Sequence, residues 1–508
     1  MLSAHSKSAR DAQVHHSMDI MGALAGLQDE SQDEKKEEKK EEKPEAVAAV
    51  HAVEAPAKSC LVLCGSTDWV AAAKGAAGKQ KQKQDGAQGD QFDSPVVVGG
   101  ALAGVRVSYV SVGPSAGHVL AFGDGKVFAW GQNSHGQLGL GAKAAWCVPG
   151  PAEAKAWSAP GTPVSAACGK NHTLVLYADG AVASAGCGER GALGHGDKAK
   201  DMPEMSHDPK VVEAVSDAVC IAAGTDFSLA GASTGKVYSW GWTEFGKLGQ
   251  GDDGCYNTKD SSIKLTYTAA GAPGLVKGLP AGFEPVQVSA GKNHAAALGA
   301  DGVGFTWGDG AYGKLGHRSQ EQLNAPRALE GARFSSLLCG DSSTAGLGWP
   351  EYRGRPFTKT AGDGMLFVWG VLKGTHGEGA THPVPNYDLQ GWAIDKHCLG
   401  VGASHCALGA EGSAVAWALM PVAYGQLGYG DAGPKSSHRA KELDALKGAV
   451  TAQCVASSGQ THFLCDAASV SALPVWTPPK PTQLTAPPVA KRAPPKKKGG
   501  PAAKKAKK

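Results

Sequence analysis

The stretch SAGHVLAFGDGKVFAWGQNSHGQLGLG (115–141) carries three landmarks in a fixed order. Small residues lead into a His and an apolar run, SAGHVLAF (115–122). A Gly turn then leads into an apolar strand ending in Trp-Gly, GDGKVFAWG (123–131). A glycine-bounded turn, GQLGLG (136–141), follows. The first landmark recurs as CGKNHTLVL (168–176), AGKNHAAAL (290–298), VGASHCAL (401–408) and SSGQTHFLC (457–465), with degenerate copies AGTDFSLA (223–230) and CGDSSTAG (339–346). The second recurs as STGKVYSWG (233–241), DGVGFTWG (301–308) and GDGMLFVWG (362–370), and more weakly as DGAVASAG (179–186) and EGSAVAWA (411–418). The third recurs as GALGHG (191–196), GKLGQG (246–251), GKLGH (313–317) and GQLGYG (425–430).

The Trp position falls at 130, 185, 240, 307, 369 and 417, at intervals of 55, 55, 67, 62 and 48 residues. A period near 50–60 with several short strands per unit indicates a β-propeller rather than a helical solenoid. In GKVYSW (235–240), Val237 and Ser239 point one way and Tyr238 and Trp240 the other. Neighbouring blades cover both faces, so both must tolerate burial. Seven first landmarks face six second landmarks, and the run CLVLCGSTDW (60–69) supplies the missing strand. The expected fold is therefore an all-β, seven-bladed propeller closed by N- and C-terminal strands, which removes exposed sheet edges.

Composition agrees. Gly makes up 71 of 508 residues, about twice the usual share of roughly 7%, and interior Gly weakens helices. The boundaries are expected at 1–57, 58–470 and 471–508. The first segment is a charged, disordered tail with nine acids and five Lys between Asp29 and Glu45. The last is a disordered Pro/Lys-rich tail ending in KRAPPKKKGGPAAKKAKK (491–508), with nine basic residues and no acid. Neither a membrane span nor a cleaved leader is expected, since the longest apolar run near the start is Ile20 to Leu27. The 12 Cys form no CxxC pair, so zinc and redox motifs are unsupported and the thiols are expected to be reduced. No metal and no cofactor is expected.

The three landmarks in register resemble the regulator of chromosome condensation repeat over about 58–466. GSTDW (65–69), LAGVRV (102–107), SAACGKNHTL (165–174), LQGWAI (389–394) and LGYGDAGPKSS (427–437) resemble its second-type branch. The resemblance implies a seven-bladed propeller that binds small GTPases of the Rac, Ral, Arf or Ran class, chromatin, or both. Guanine-nucleotide exchange is the implied activity, in mitosis or cytoskeletal signalling, with a nuclear and chromosome-associated location. The alternative is a non-catalytic scaffold for chromosome or microtubule proteins. Three departures stand out: GTHGEGATH (374–382) replaces the fifth Gly-Gln-Leu-Gly turn, Ala185 replaces a Trp, and the strongest basic tail follows the propeller.

No catalytic residue is expected. GCGERG (186–191) and GDGAYG (308–313) match a dinucleotide fingerprint, and GPSAG (113–117) and GASTG (231–235) a nucleophile elbow, but all lie in repeat turns without a βαβ or α/β context. The repeat histidines His118, His172, His294, His405 and His462 occupy one position per blade, too far apart for a metal, and read as structural hydrogen-bonding groups. The family's exchange factors contact the GTPase through acids just before the repeat His and two residues before the turn Gly. The matching positions are Asn171, Asp226 and Asn293, and Glu189 and Glu244. These are the GTPase-binding candidates.

Two insertions complete the inventory. One runs from Asp252 to Pro285, with KDSSIKLTYT (259–268) alternating like a strand; an extra hairpin there resembles the family's wedge. The other, GWPEYRGRPFTKT (348–360), sets Trp349, Tyr352 and Phe357 among Arg353, Arg355 and Lys359. Aromatic and basic groups together suit partner anchoring. In the C-terminal tail Lys491, Arg492, Lys496, Lys497 and Lys498 form a nuclear-import-like cluster extended by Lys504, Lys505, Lys507 and Lys508. Such a tail binds DNA or chromatin without sequence preference and in a salt-sensitive way.

Overall fold

The computed structural model describes residues 53–67, 89–196, 203–257, 265–352, 355–356, 364–372, 379–410, 412–431, 433–434 and 436–479. They form seven antiparallel blades in chain order. The first is Val107–Ser111, His118–Gly123, Lys126–Gln132 and Cys147–Glu153, hydrogen-bonded in that order. The next five begin at Pro163–Cys168, Ala218–Ala223, Pro285–Ala290, Ala332–Cys339 and Ile394–Val401. The first strands of all seven blades line one axial cavity of about 220 Å³, from Tyr109 of the first to Gln453 of the seventh. One cavity touching every blade defines a closed ring.

The seventh blade is where the ring closes. Its spatial order is Thr451–Ala456, Gln460–Asp466, Ser59–Ser66, Gln91–Val98 and then Val475–Trp476. Ser59–Ser66 takes the third-strand position, with Ser59 opposite Asp466 and Gly65 opposite Gln460. Across the seam, Gln453 donates from Nε2 to the Val110 carbonyl and accepts the Val110 N–H at Oε1, both at 2.9 Å.

The sheet extends beyond residue 470. Val475–Trp476 pairs in parallel with Val97 and Val98, Trp476 Nε1 donates to Asp90 at 2.9 Å, and the indole meets Phe92 edge-on at 5.5 Å. Trp476 is 7% exposed, so Trp476→Ala is expected to cost about 3 kcal/mol. A denaturant titration checks this: the midpoint falls while the slope is unchanged, and an unmoved midpoint contradicts it.

Trp at the end of the third strand wedges between blades. Trp240 and Trp307 are fully buried, and their Nε1 groups donate to the Ala192 and Lys247 carbonyls in the turn of the preceding blade, at 2.8 and 3.0 Å. The second Gly of the turn makes room for the ring. At Gly249, with φ +66°, a Cβ would lie 2.7 Å from Trp307 Nε1. Ala185 breaks this pattern in sequence only. At that junction Trp157, from the loop entering the second blade, donates to the Leu138 carbonyl at 2.9 Å and fills the same place.

The repeat histidines stitch neighbouring blades. His118, His172, His294 and His405 lie 2.8, 3.0, 2.9 and 2.7 Å through Nε2 from the hydroxyls of Thr173, Ser228, Thr344 and Thr461. Each hydroxyl donates to a turn carbonyl, as Thr173 does to Gln137 at 2.7 Å. The ring nitrogen must then be the donor, which fixes a hydrogen on Nε2. Burial pushes His118 down to about 3 and His172 and His405 to about 4.

His462 departs from the expected pattern. The small-residue segment runs straight into Gln460, whose carbonyl accepts from Ser457 N–H as His405's does from Gly402. Gln460 therefore holds the repeat position and reaches the Ser66 carbonyl at 2.7 Å. His462, two residues on, is fully buried without a hydrogen-bond partner among the described residues, with Trp130 edge-on at 6.4 Å.

Candidate functional site

Antiparallel strands alternate in direction, so loops joining first to second and third to fourth strands share one face of the ring. The other loops share the opposite face. Asn171, Asp226 and Asn293 end first-to-second loops, and Glu189 and Glu244 begin third-to-fourth loops. All five candidates therefore stand on one face.

The wedge-like hairpin is there too. Cys255–Asn257 pairs with Leu265–Tyr267 inside the third-to-fourth loop of the third blade. The strand expected at 259–268 is confined to its last part, and residues 258–264 lie outside the described set. The remainder of the 252–285 segment is the blade's own outer strand, Ala269–Leu275, and the crossing to the fourth blade. Residues 348–352 of the other segment end the second strand of the fifth blade, Ser343–Tyr352, and so lead to the opposite face. Trp349 ends up opposite Arg333 in that sheet. Tyr352 pairs with Arg355 through the backbone; their side chains, and Arg353, lie outside the described residues. Lys491 to Lys508 do as well.

On the candidate face two of the three acids, Asp226 and Glu244, are engaged. Asp226 Oδ2 meets Arg190 Nη1 at 2.5 Å, with side-chain exposures of 21% and 50%. The Arg190 guanidinium lies 5.0 Å from the Trp242 ring centre. Trp242 Nε1 donates to Glu244 at 3.3 Å, and its ring meets Tyr267 of the hairpin edge-on at 6.4 Å. An unbroken line of contacts thus runs from Asp226 to the hairpin. Asn293 Oδ1 accepts from Lys247 Nζ at 3.1 Å. Glu189 stays exposed.

Lys247 is the hub beneath these groups. It is 1% exposed and faces the Phe227 ring at 5.7 Å. Burial lowers its pKa to about 8, against the opposing pull of Asp226 and Glu244. Lys314, its counterpart in the next blade, is 3% exposed and paired with Asp309 at 2.5 Å. Gln137 holds the same turn position in the first blade and is fully buried, and its Nε2 has no partner among the described residues. Nearer the axis, Ser115 donates to Asp341 at 2.6 Å, joining the first and fifth blades. Burial raises the Asp341 carboxyl, opposed by the Ser115 hydrogen bond and by Lys292 and Lys170.

Two aromatics on this face hold a backbone conformation that bulky residues avoid. Phe245 and Tyr312 have φ of 65° and 64°, each immediately before its Gly-Lys-Leu-Gly turn. Such strain is of order 1–3 kcal/mol per residue and gathers where a surface is used. Tyr312 is 44% exposed. Arg190, Trp242, Lys247 and Tyr267 were not among the candidate residues, although three of them lie in quoted motifs; folding brings them to the site.

The described Ser and Thr hydroxyls beside a His, such as Ser228, Ser184 and Thr306, donate to turn carbonyls rather than to the ring. The fingerprint stretches 186–191 and 308–313 run from a strand end into a tight turn. Among the described residues no group of three or more His, Cys, Asp or Glu is placed to hold a metal, and no helix is long and apolar enough to cross a membrane.

The pattern described as Regulator of chromosome condensation (RCC1) repeat matches residues 124–176, 234–298 and 301–347. Protein RCC2 of Homo sapiens is 32% identical over 427 residues, covering 80% of this chain and 76% of that protein. The chain belongs to the RCC1-repeat family. The Protein RCC2 homolog of Danio rerio is 31% identical over 386 residues, covering 72% of both proteins, so the second-type branch is where these RCC1-repeat relatives fall. Solved structures share the fold. Human WBSCR16 superposes with a TM-score of 0.62 at 22% identity, over 81% of this chain and 99% of that one. Prp20p from Saccharomyces cerevisiae, characterised for binding to Gsp1p and histones, gives 0.60 at 17%, over 82% and 93%.

Proposed function

We propose that this chain binds a small GTPase of the Rac, Ral, Arf or Ran class on the face carrying Asp226, Glu244 and the hairpin, and there promotes nucleotide release. The observation that carries the reading is convergence. Candidate residues from the second, third and fourth blades and the hairpin share one face, while residues 348–352 of the other insertion lead to the opposite one. Prp20p, a protein of the same fold, binds Gsp1p, and the RCC2 relatives supply kinship over most of the chain. In physical terms, carboxylates at the rim compete for a GTPase's phosphate-binding Lys or its Mg²⁺. Tighter binding of the empty state than of the loaded state then drives nucleotide off.

Release of a fluorescent nucleotide from Rac-, Ral-, Arf- and Ran-type GTPases, with the full chain added, tests this. Acceleration of one class is expected, falling about tenfold in Glu244→Ala, on the scale of an interface hot spot. No acceleration of any class sinks the exchange reading and leaves a scaffold role.

The basic tail is assigned a second task, contact with DNA or chromatin and nuclear retention. Removing 491–508 is expected to abolish DNA binding that weakens steeply with salt, since each neutralised phosphate contributes about −0.9 to the slope of log K against log salt. Unchanged DNA affinity in the truncated chain contradicts it.

A further inference from the structure

We infer that Asp226 is the docking point for a cationic side chain of the partner, and that Arg190 occupies that point while the chain is unbound. This rests on the GTPase-binding reading and specifies the contact within it. Asp226 has a small exposed fraction, 21%, already filled by a guanidinium at 2.5 Å. A Lys or Arg from a partner takes Oδ2 by displacing Arg190.

The surroundings make that displacement feasible. Arg190 sits on the neighbouring blade, is half exposed, and rests on Trp242 at 5.0 Å. It keeps a seat on the indole face when it leaves the carboxylate, because a cation over Trp is favourable in its own right. Asp226 has no comparable freedom. Its loop is held by the Trp242 N–H, which donates to the Asp226 carbonyl at 2.9 Å. Behind it lies the buried Lys247, close enough for the Asp226 charge to act on its ammonium. The site is thus a fixed anion with a movable internal cation and an aromatic floor. Trp242 also touches Tyr267, so a partner pressing on the hairpin meets the residue that supports Arg190.

The partner chemistry follows from what already sits in the site. It is a Lys or Arg flanked by apolar surface that can cover Trp242 and Tyr267. Arg190 acts as an internal competitor, and its removal strengthens docking provided Asp226 is present.

The test measures equilibrium binding of the full-length chain to nucleotide-free Rac-, Ral-, Arf- and Ran-type GTPases. The variants are Arg190→Ala, Arg190→Lys, Asp226→Ala and the Arg190→Ala/Asp226→Ala double variant. Arg190→Ala is expected to bind about 3- to 5-fold more tightly, the upper range for a half-exposed ion pair. Arg190→Lys, which keeps the charge, falls between it and the unaltered chain. Asp226→Ala binds about tenfold more weakly, and the double variant matches Asp226→Ala. Equal melting temperatures for the Arg190 variants exclude a folding effect. If the unaltered chain binds a GTPase and Arg190→Ala binds equally or more weakly, the inference is overturned while the GTPase reading stands. If no variant binds any GTPase, the reading fails and the inference falls with it.

Discussion

Lowering the pH from about 7 to about 4.5 is expected to unfold this propeller cooperatively. His118, His172, His294, His405 and His462 are each buried to 1% exposure or less. Burial holds His118 and His462 to about 3, His172 and His405 to about 4, and His294 well below the ordinary 6.5. The folded-state values are depressed, so the unfolded chain binds more protons between about 6.5 and 4. Stability is therefore full above about pH 6.5 and is lost as pH falls through that window. Each such ring contributes a slope of about 1.4 kcal/mol per pH unit, and the five together about 7 kcal/mol per unit. One pH unit then rivals the whole stability of a typical domain, about 5–15 kcal/mol. Near-ultraviolet circular dichroism against pH checks this. His462→Leu is the most direct variant, because its ring lacks a partner among the described residues. It is expected to flatten the acid limb with little loss at neutral pH. A dichroism signal unchanged to pH 4.5 would contradict the account of the seams.

A chain begun at residue 67 is expected not to fold. It lacks the third strand of the seventh blade, and with it Leu61, Val62, Leu63 and Cys64, each 0% exposed. Emptying a buried Leu site alone costs about 2–5 kcal/mol, so losing the whole strand exceeds what a typical domain holds. The gap also leaves Gln460–Asp466 and Gln91–Val98 as open edges facing each other, which invites aggregation. A peptide of residues 53–67 added during refolding is expected to recover soluble protein by strand addition. Cooperative melting of the truncated chain at the full-length temperature would contradict this.

The ring and its closure were legible in the sequence because each blade repeats the same packing problem. A Trp wedge needs a turn Gly beside it, and both recur in register. The blade count followed from a mismatch between two landmarks, and CLVLCGSTDW filled it. Where one residue type was read alone, the reading slipped. SSGQTHFLC contains a His, yet Gln460 holds the repeat position, since the backbone bond to Ser457 and not the ring sets the register. Ala185 looked like a defect because its substitute, Trp157, comes from a different loop. The candidate acids could be placed on one face from the repeat alone. Their partners could not. Arg190 and Asp226 are 36 positions apart and Lys247 and Asn293 46 apart, and only the side-by-side packing of blades brings them together.

The most direct measurement of the central claim is hydrogen–deuterium exchange of the full chain with and without nucleotide-free GTPases of the four classes. Docking on the proposed face predicts slowed exchange in 169–171, 188–196, 224–226 and 243–257, and none in 348–352. Protection confined to 348–352 and the other loops of the opposite face, or no protection with any GTPase, would contradict it.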